Sequence, residues 1–183
     1  MFLIIFAIII CLNFGVGISP ARSESALDLY NAALKIQEID KSEQLLKKIV
    51  AEHPTSIFAQ KALYKLGDLN FLKNYFEASA DYYGKLIAAY DNSDLYKDSL
   101  YKYAVSLYLN GKINESETIL KQYLQKYPDD ERKPEIFAKL GDIYYNKGDI
   151  AGAINRYLNS LHIFQDSNYK SWVYFQLGNC YNY

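Results

Sequence analysis

Apolar side chains recur every three to four residues over 57–72, 96–109, 135–146 and 171–183, and the same spacing returns over 42–52, 75–90, 114–126 and 149–164. A stripe of that period covers one face of an α-helix. The pattern therefore predicts an all-α chain in which the first and second helices of a pair alternate. Gly111 and Gly148 fall in the turns inside the pairs, with Asn74 at the equivalent place, where a helix end needs a residue that tolerates positive φ. Pro54 and Pro128 close second helices, because proline has no amide donor and its ring clashes with the preceding turn.

These helices are not independent of one another. Leu66-Gly67, Tyr103-Ala104, Leu140-Gly141 and Leu177-Gly178 follow at steps of 37 residues, and other columns keep the same step. An aromatic ring recurs at His53, Tyr90, Tyr127 and Phe164, and another at Phe71, Tyr108 and Tyr145, with Asn182 next in line. Small residues recur at Ser42, Ser79, Ser116 and Ala153, each four positions before Leu46, Tyr83, Leu120 and Tyr157. Unrelated helices have no reason to keep several columns in phase, so the chain is an array of similar units. The small residue at 67, 104, 141 and 178 marks a close approach of paired helices. An array of this kind builds an extended surface rather than a closed catalytic pocket, which points to the holding of another molecule.

The amino terminus has a different character. Residues 2–12 are an unbroken apolar run, and Ser19-Pro20-Ala21 supplies small residues where a signal peptidase reads. Residues 1–21 are thus expected to be a secretory signal, with the chain exported to the periplasm or cell envelope. No Lys or Arg precedes the run, which leaves an uncleaved membrane anchor as the competing reading, although 2–18 is shorter than the ~20 apolar residues that span a bilayer. Cys11 follows Ile8, Ile9 and Ile10 rather than the small residues that precede a lipoprotein cysteine. Residues 22–183 then form one domain of about four repeats plus a lone final helix. That helix, with Trp172, Val173, Phe175, Leu177 and Tyr181, looks apolar on both sides. The expectation is that a partner or a second copy covers it, or that the chain continues past Tyr183.

Charge and candidate chemistry narrow the function. The formal charge is −1 with basic and acidic residues interspersed, which gives no electrostatic footprint for nucleic acid. There is no Gly-rich phosphate loop, no metal-spaced His and Cys cluster and no nucleophile elbow, so neither an enzyme nor a cofactor, metal or small-molecule substrate is expected. His53 belongs to an aromatic column and reads as packing or helix-end polarity; His162 lies near the end of a second helix. Asp129, Asp130 and Glu131 read as a solvated linker, since the ordered oxygen-ligand loop of a calcium site is missing. Cys180 has Ile143, Ser106 and Leu69 as its counterparts, which predicts a packing role.

The unit Ile136-Phe137-Ala138-Lys139-Leu140-Gly141-Asp142-Ile143-Tyr144, followed by Gly148-Asp149, Ala153 and Tyr157, resembles the tetratricopeptide repeat. The resemblance runs from Ser23 to Tyr183. Departures are Tyr30 in place of the small residue, Asp91 and Gln165 in place of the terminal proline, and a period of 37 against about 34 in the family. The resemblance implies a right-handed superhelical solenoid of antiparallel helix pairs whose first helices form the inner face. On that geometry Tyr64, Asp68, Phe71, Tyr101, Tyr108, Asp142, Tyr145, Trp172 and Phe175 face a groove, with Phe71, Tyr108 and Tyr145 as a ladder. Such rings suit a peptide or partner helix, because they offer apolar area and a polar tip at small entropic cost; the alternative is that several of them only pack between repeats. The subtype that grips a free carboxylate is not expected, because its positions hold Tyr64, Asp68, Tyr101 and Val105. Long repeats with a Tyr-Pro end and an acidic linker, as at Tyr127-Pro128-Asp129-Asp130-Glu131, are similar to those of bacterial envelope proteins such as the outer-membrane β-barrel assembly lipoprotein and the Tol-Pal-associated coordinator. The resemblance thus implies a protein-binding envelope scaffold, or else the accessory arm of a larger envelope enzyme such as a cell-wall hydrolase. Self-association through the final helix is a further expectation.

Overall fold

The computed structural model describes residues 24–163 and 167–182; the expected signal segment, Phe164, Gln165 and Tyr183 lie outside the described residues. Within them the chain is all-α, as expected: α1 (Ala26–Lys35), α2 (Ile39–Glu52), α3 (Ile57–Leu72), α4 (Phe76–Ala89), α5 (Tyr96–Leu109), α6 (Ile113–Lys126), α7 (Lys133–Asn146), α8 (Ile150–Ile163) and α9 (Ser167–Tyr181). Each helix packs on the next, so α1/α2, α3/α4, α5/α6 and α7/α8 form consecutive pairs and α9 packs on α8. The bounds of α3 and α5 are those the hydrophobic spacing predicts. Helix α1 has no counterpart among the helices read from that spacing. It is ten residues long and starts where Ser25 Oγ accepts a hydrogen bond from the Asp28 amide.

The turns inside the pairs are one structure used three times. Asn74, Gly111 and Gly148 have φ of 60°, 78° and 76°, the left-handed region that glycine enters without strain. In each turn the next amide reaches back five residues: Tyr75 to the Asn70 carbonyl, Lys112 to Leu107 and Asp149 to Tyr144, at 2.8, 2.9 and 3.0 Å. The left-handed residue itself donates to Phe71, Tyr108 and Tyr145. This closes the orphan carbonyls of α3, α5 and α7 in the Schellman manner.

At Gly67 and Gly141 the small column has the close-approach role expected of it, whereas at Gly178 no neighbour comes within 4 Å of an added Cβ, so no close approach is made there among the described residues. A Cβ placed on Gly67 would lie 2.6 Å from the ring of Tyr83, and one on Gly141 would lie 2.5 Å from the ring of Tyr157. Tyr83 and Tyr157 are both buried, and each hydroxyl donates to an acid one residue after the glycine, Asp68 at 2.7 Å and Asp142 at 2.8 Å. In the unit between them Ala104 stands opposite Leu120 in one buried cluster, so a larger first-helix residue is matched by a smaller second-helix one. The small serines hold the pairs from the other side. Ser79 Oγ donates to the Gly67 carbonyl at 3.0 Å and Ser116 Oγ to the Ala104 carbonyl at 2.8 Å.

These pairings alternate, which makes the repeat a double one. Besides Gly-Asp-Tyr, the bridge from Lys73 to Glu43 at 2.9 Å has its counterpart two units later in Lys147 and Glu117. Buried apolar side chains run through all the pairs in three clusters, from Leu29, Leu46 and Leu66 through Leu100, Leu120 and Leu140 to Tyr157, Val173 and Leu177. Each fully buried leucine contributes about 1.5–3 kcal/mol. Cys180 is buried in the last cluster, as its column predicts, and burial pushes its thiol up.

Candidate functional site

The first helices bring their side chains to one face because residues 64, 68 and 71 of α3, and 101, 105 and 108 of α5, share a stripe at helical spacing. Between α3, α4 and α5 a pocket of about 460 Å³ is lined by Phe71, Leu72, Tyr101 and Val105 and by the charged Lys65, Asp68 and Lys102. A neighbouring space of about 360 Å³ lies against Tyr30 and Leu34 of α1, Lys61 and Tyr64 of α3, and Leu95. Lys65 and Asp68 border both spaces, so one groove crosses α1, α3 and α5.

Charges in this groove are mostly committed to one another. Lys102 Nζ donates to Asp68 Oδ1 at 2.7 Å and to the Tyr64 hydroxyl at 2.6 Å, and sits 4.4 Å from the centre of the Tyr64 ring. Burial works against the Lys102 charge, but the bonds to Asp68 and Tyr64 outweigh it and hold its pKa above the usual range. Asp98 takes the Tyr64 hydroxyl and an Arg132 guanidinium. Burial favours its neutral form, yet Tyr64, Lys102 and Arg132 together keep its carboxyl below the ordinary value. One repeat further on, the Tyr101 hydroxyl donates to Glu135 Oε1 at 2.5 Å. Tyr64–Asp98 and Tyr101–Glu135 are the same bond in successive units: a first-helix tyrosine tied to the acid that opens the next first helix. Among the described residues Lys65 has no ion-pair partner.

The expected groove residues therefore divide. Tyr64, Asp68, Phe71 and Tyr101 meet in the groove. Tyr108, Asp142, Tyr145, Trp172 and Phe175 lie further along the array, outside both of its spaces. Tyr108 is half-buried under α7, accepting from Asn146 Nδ2 at 2.9 Å with Lys139 5.0 Å from its ring centre. Asp142 holds Tyr157 and Lys139, the latter at 3.0 Å. Tyr145 and Trp172 pack against the last core cluster, where the Trp172 ring meets Tyr157 edge-on at 6.4 Å. Phe175 is exposed. A ladder of one groove ring per repeat is thus not formed by Phe71, Tyr108 and Tyr145, because the Tyr108 ring is taken up between α5 and α7.

Two features escaped the sequence reading. Lys65, Lys102 and Lys139 form a column of their own, visible as a 37-residue spacing. The acidic linker also is not simply solvated: the Asp130 side chain is 3% exposed and bonds Lys97 at 2.7 Å and the Arg132 amide at 3.0 Å. Burial opposes the Asp130 charge, but these partners prevail and its pKa is lowered to about 2. His53 has the helix-end role expected of it. It is the C-cap of α2, and its Nε2 donates to the Glu24 carbonyl at 3.1 Å.

Residues 98–130, which take in nearly all of α5, the whole of α6 and the start of the linker to α7, match the family model described as tetratricopeptide repeat. This is a tetratricopeptide repeat fold. Solved structures agree with it along most of the chain. BtubC from P. vanneervenii superposes with a TM-score of 0.68 at 17% identity, over 86% of this chain and 70% of that one. MamA gives a TM-score of 0.66 at 16% identity, over 87% and 84%. The TPR2AB domain of yeast Sti1, solved in complex with pHSP90, gives 0.55 at 17% identity, over 68% and 46%. No curated protein matches the sequence significantly. At such identities the tetratricopeptide likeness is one of fold, and the groove chemistry has to be argued from this chain's own residues.

Proposed function

We propose that this protein is a non-catalytic interaction scaffold of the bacterial cell envelope that holds a peptide or partner helix in the groove across α1, α3 and α5. The observation that carries this reading is the groove itself, an apolar trough of Tyr30, Leu34, Phe71, Leu72 and Val105, with Lys65, which has no ion-pair partner among the described residues, lining both of its spaces. An apolar side chain fits the pocket beside Phe71, and an acidic group placed next to it meets Lys65. A terminal carboxylate has a poorer reception, since Lys102 is already held by Asp68 and Tyr64. Tetratricopeptide proteins act as protein-binding scaffolds, and the Sti1 complex supports a ligand of this kind. The envelope location is supported by the apolar run at residues 2–12.

Selection of peptides from a displayed random library on the full chain tests the groove. Enriched peptides are expected to pair an apolar with an acidic residue, and to bind at least tenfold more weakly to Lys65→Glu and to Leu72→Asp with helicity unchanged. Leu72 is 78% exposed, so its replacement leaves the fold alone. Peptides indifferent to both changes would remove the groove from the reading. Fusion of residues 1–24 to alkaline phosphatase, which is active only after export, tests the location; an inactive fusion removes the envelope.

A further inference from the structure

We infer that the partner held across α1, α3 and α5 is a helix that carries, on one stripe, a bulky apolar residue and two acidic residues seven and eleven positions from it, an assignment that rests on the groove being the binding site. The groove runs along α3. Lys61, Lys65, Asp68 and Leu72 stand at i, i+4, i+7 and i+11 of that helix, which makes them one stripe, and this stripe borders the two spaces from end to end. Phe71 and Leu72 wall the larger space, and Lys61 lies at the far end of the smaller one, with Tyr30 and Leu34. At the rise of an α-helix, Lys65 and Lys61 follow Leu72 by about 10 Å and about 16 Å along the axis.

Charge specifies what lies opposite this stripe. Four charged side chains line the two spaces, and of these Lys102 and Asp68 neutralise each other at 2.7 Å, while Lys61 and Lys65 have no ion-pair partner among the described residues. Lys65 is also half-buried, so its ammonium has given up part of its hydration without gaining a counter-charge. Two acids on the partner balance this excess. An acid opposite Asp68, between Lys65 and Leu72, would instead meet a like charge. The polar groups of the groove then specify the partner's backbone. The hydroxyls of Tyr64, Tyr83 and Tyr101 are given to Asp98, Asp68 and Glu135, and Lys102 is held by Asp68 and Tyr64. No Asn, Gln, Ser or Thr lines either space. An extended peptide would bury amides and carbonyls there without partners, whereas a helix satisfies its own. A helix lying along α3 repeats the rise of α3, so the spacing of Leu72, Lys65 and Lys61 is copied onto it as i, i+7 and i+11.

The probe is a fluorescein-labelled, alanine-rich peptide with one phenylalanine, a glutamate seven positions away and a second glutamate four positions further, stapled on its opposite face to hold the helix. It is made in both chain directions, so that the stripe can meet α3 parallel or antiparallel, and the tighter binder is used. Anisotropy on titration with the full chain is expected to show saturable binding that Leu72→Asp abolishes. Affinity falls about tenfold for Lys65→Glu and about threefold for the more exposed Lys61→Glu, with melting temperatures unchanged because neither lysine holds an ion pair. Lysine in place of the nearer glutamate of the probe restores binding to Lys65→Glu. Moving that glutamate to the fourth position from the phenylalanine, opposite Asp68, keeps the composition and weakens binding to the unaltered chain about tenfold. Equal binding of the moved-glutamate probe overturns the inference, and so does a charge reversal that restores nothing. An unstapled probe with proline at alternate alanines holds the extended form. If it binds more tightly than the stapled probe and is still lost on Leu72→Asp, the groove stands and the helix falls. Absence of saturable binding by the stapled probe overturns the helix as well, and the library peptides then decide the groove by themselves.

Discussion

Replacing Gly141 by Ala adds a single methyl group, and its effect can be worked out from the helix contact it enters. The new Cβ would stand 2.5 Å from Cε1 of Tyr157, about 1 Å inside ordinary contact, so the ring or the helix must move. Tyr157 has little freedom to do so. It is 1% exposed, its hydroxyl is bonded to Asp142 at 2.8 Å, and its ring meets Trp172. Overpacking of this kind costs about 1–3 kcal/mol, and loss of a hydrogen bond to a carboxylate costs about 1.5–3 kcal/mol. Alanine regains about 1 kcal/mol of helix propensity over glycine. The net expectation is a loss of about 1–3 kcal/mol, read as a lowered urea midpoint by circular dichroism at 222 nm. Gly178→Ala is the internal control: with no neighbour within 4 Å, only the propensity gain of up to about 1 kcal/mol remains. A second control shrinks the partner, since Gly141→Ala with Tyr157→Leu recreates the natural pairing of Ala104 with Leu120 and is expected to recover part of the loss. Equal effects of alanine at 141 and 178, or stabilisation at 141, would refute the close-approach account of this column.

Other consequences are open to the same measurements. Ser116→Ala removes the 2.8 Å bond to the Ala104 carbonyl inside the α5/α6 contact and should cost about 1 kcal/mol in urea unfolding. Acid should weaken the fold between pH 4.5 and about 2. Burial pushes the Glu117 carboxyl up, but Lys121 and Lys147 outweigh it and lower its pKa from 4.5 to about 2. A depressed carboxyl pKa contributes stability above its unfolded value that is lost as pH falls toward the folded value. Glu117→Gln should therefore flatten the dependence of the urea midpoint on pH in that window, and an unchanged slope would count against these bridges. Tyr64→Phe deletes a hydroxyl shared by Asp98 and Lys102 and should lower the melting temperature while leaving the α3–α4 contact in place.

Several assignments differ between the sequence and the fold for a common reason. Tyr64 and Tyr101 look like free recognition rings in the sequence, yet their hydroxyls bind Asp98 and Glu135 in the next unit. Each pair is separated by 34 residues, three fewer than the period, so a comparison of columns 37 apart passes over it. The same holds for Lys102 with Asp68, and that bond has no equivalent one unit on. There Val105 stands in the aspartate column and Lys139 turns instead to Asp142, three positions along its own helix.

What the amino-acid order determined by itself is the part of the structure that is local or repeated. Helical periodicity placed α3 and α5 to the residue, positive-φ positions placed the turns, and the 37-residue columns singled out Gly67 and Gly141 as sites of close approach. These follow from backbone sterics and from the need of each amphipathic face to be covered, both of which act within one unit. Tertiary structure alone decided which of the aromatic rings are spoken for, where Lys65 is left without a counter-charge among the described residues, and which side of α9 is covered. Those outcomes depend on how one unit is set against the next, which brings together side chains that are neither neighbours in a helix nor members of one column.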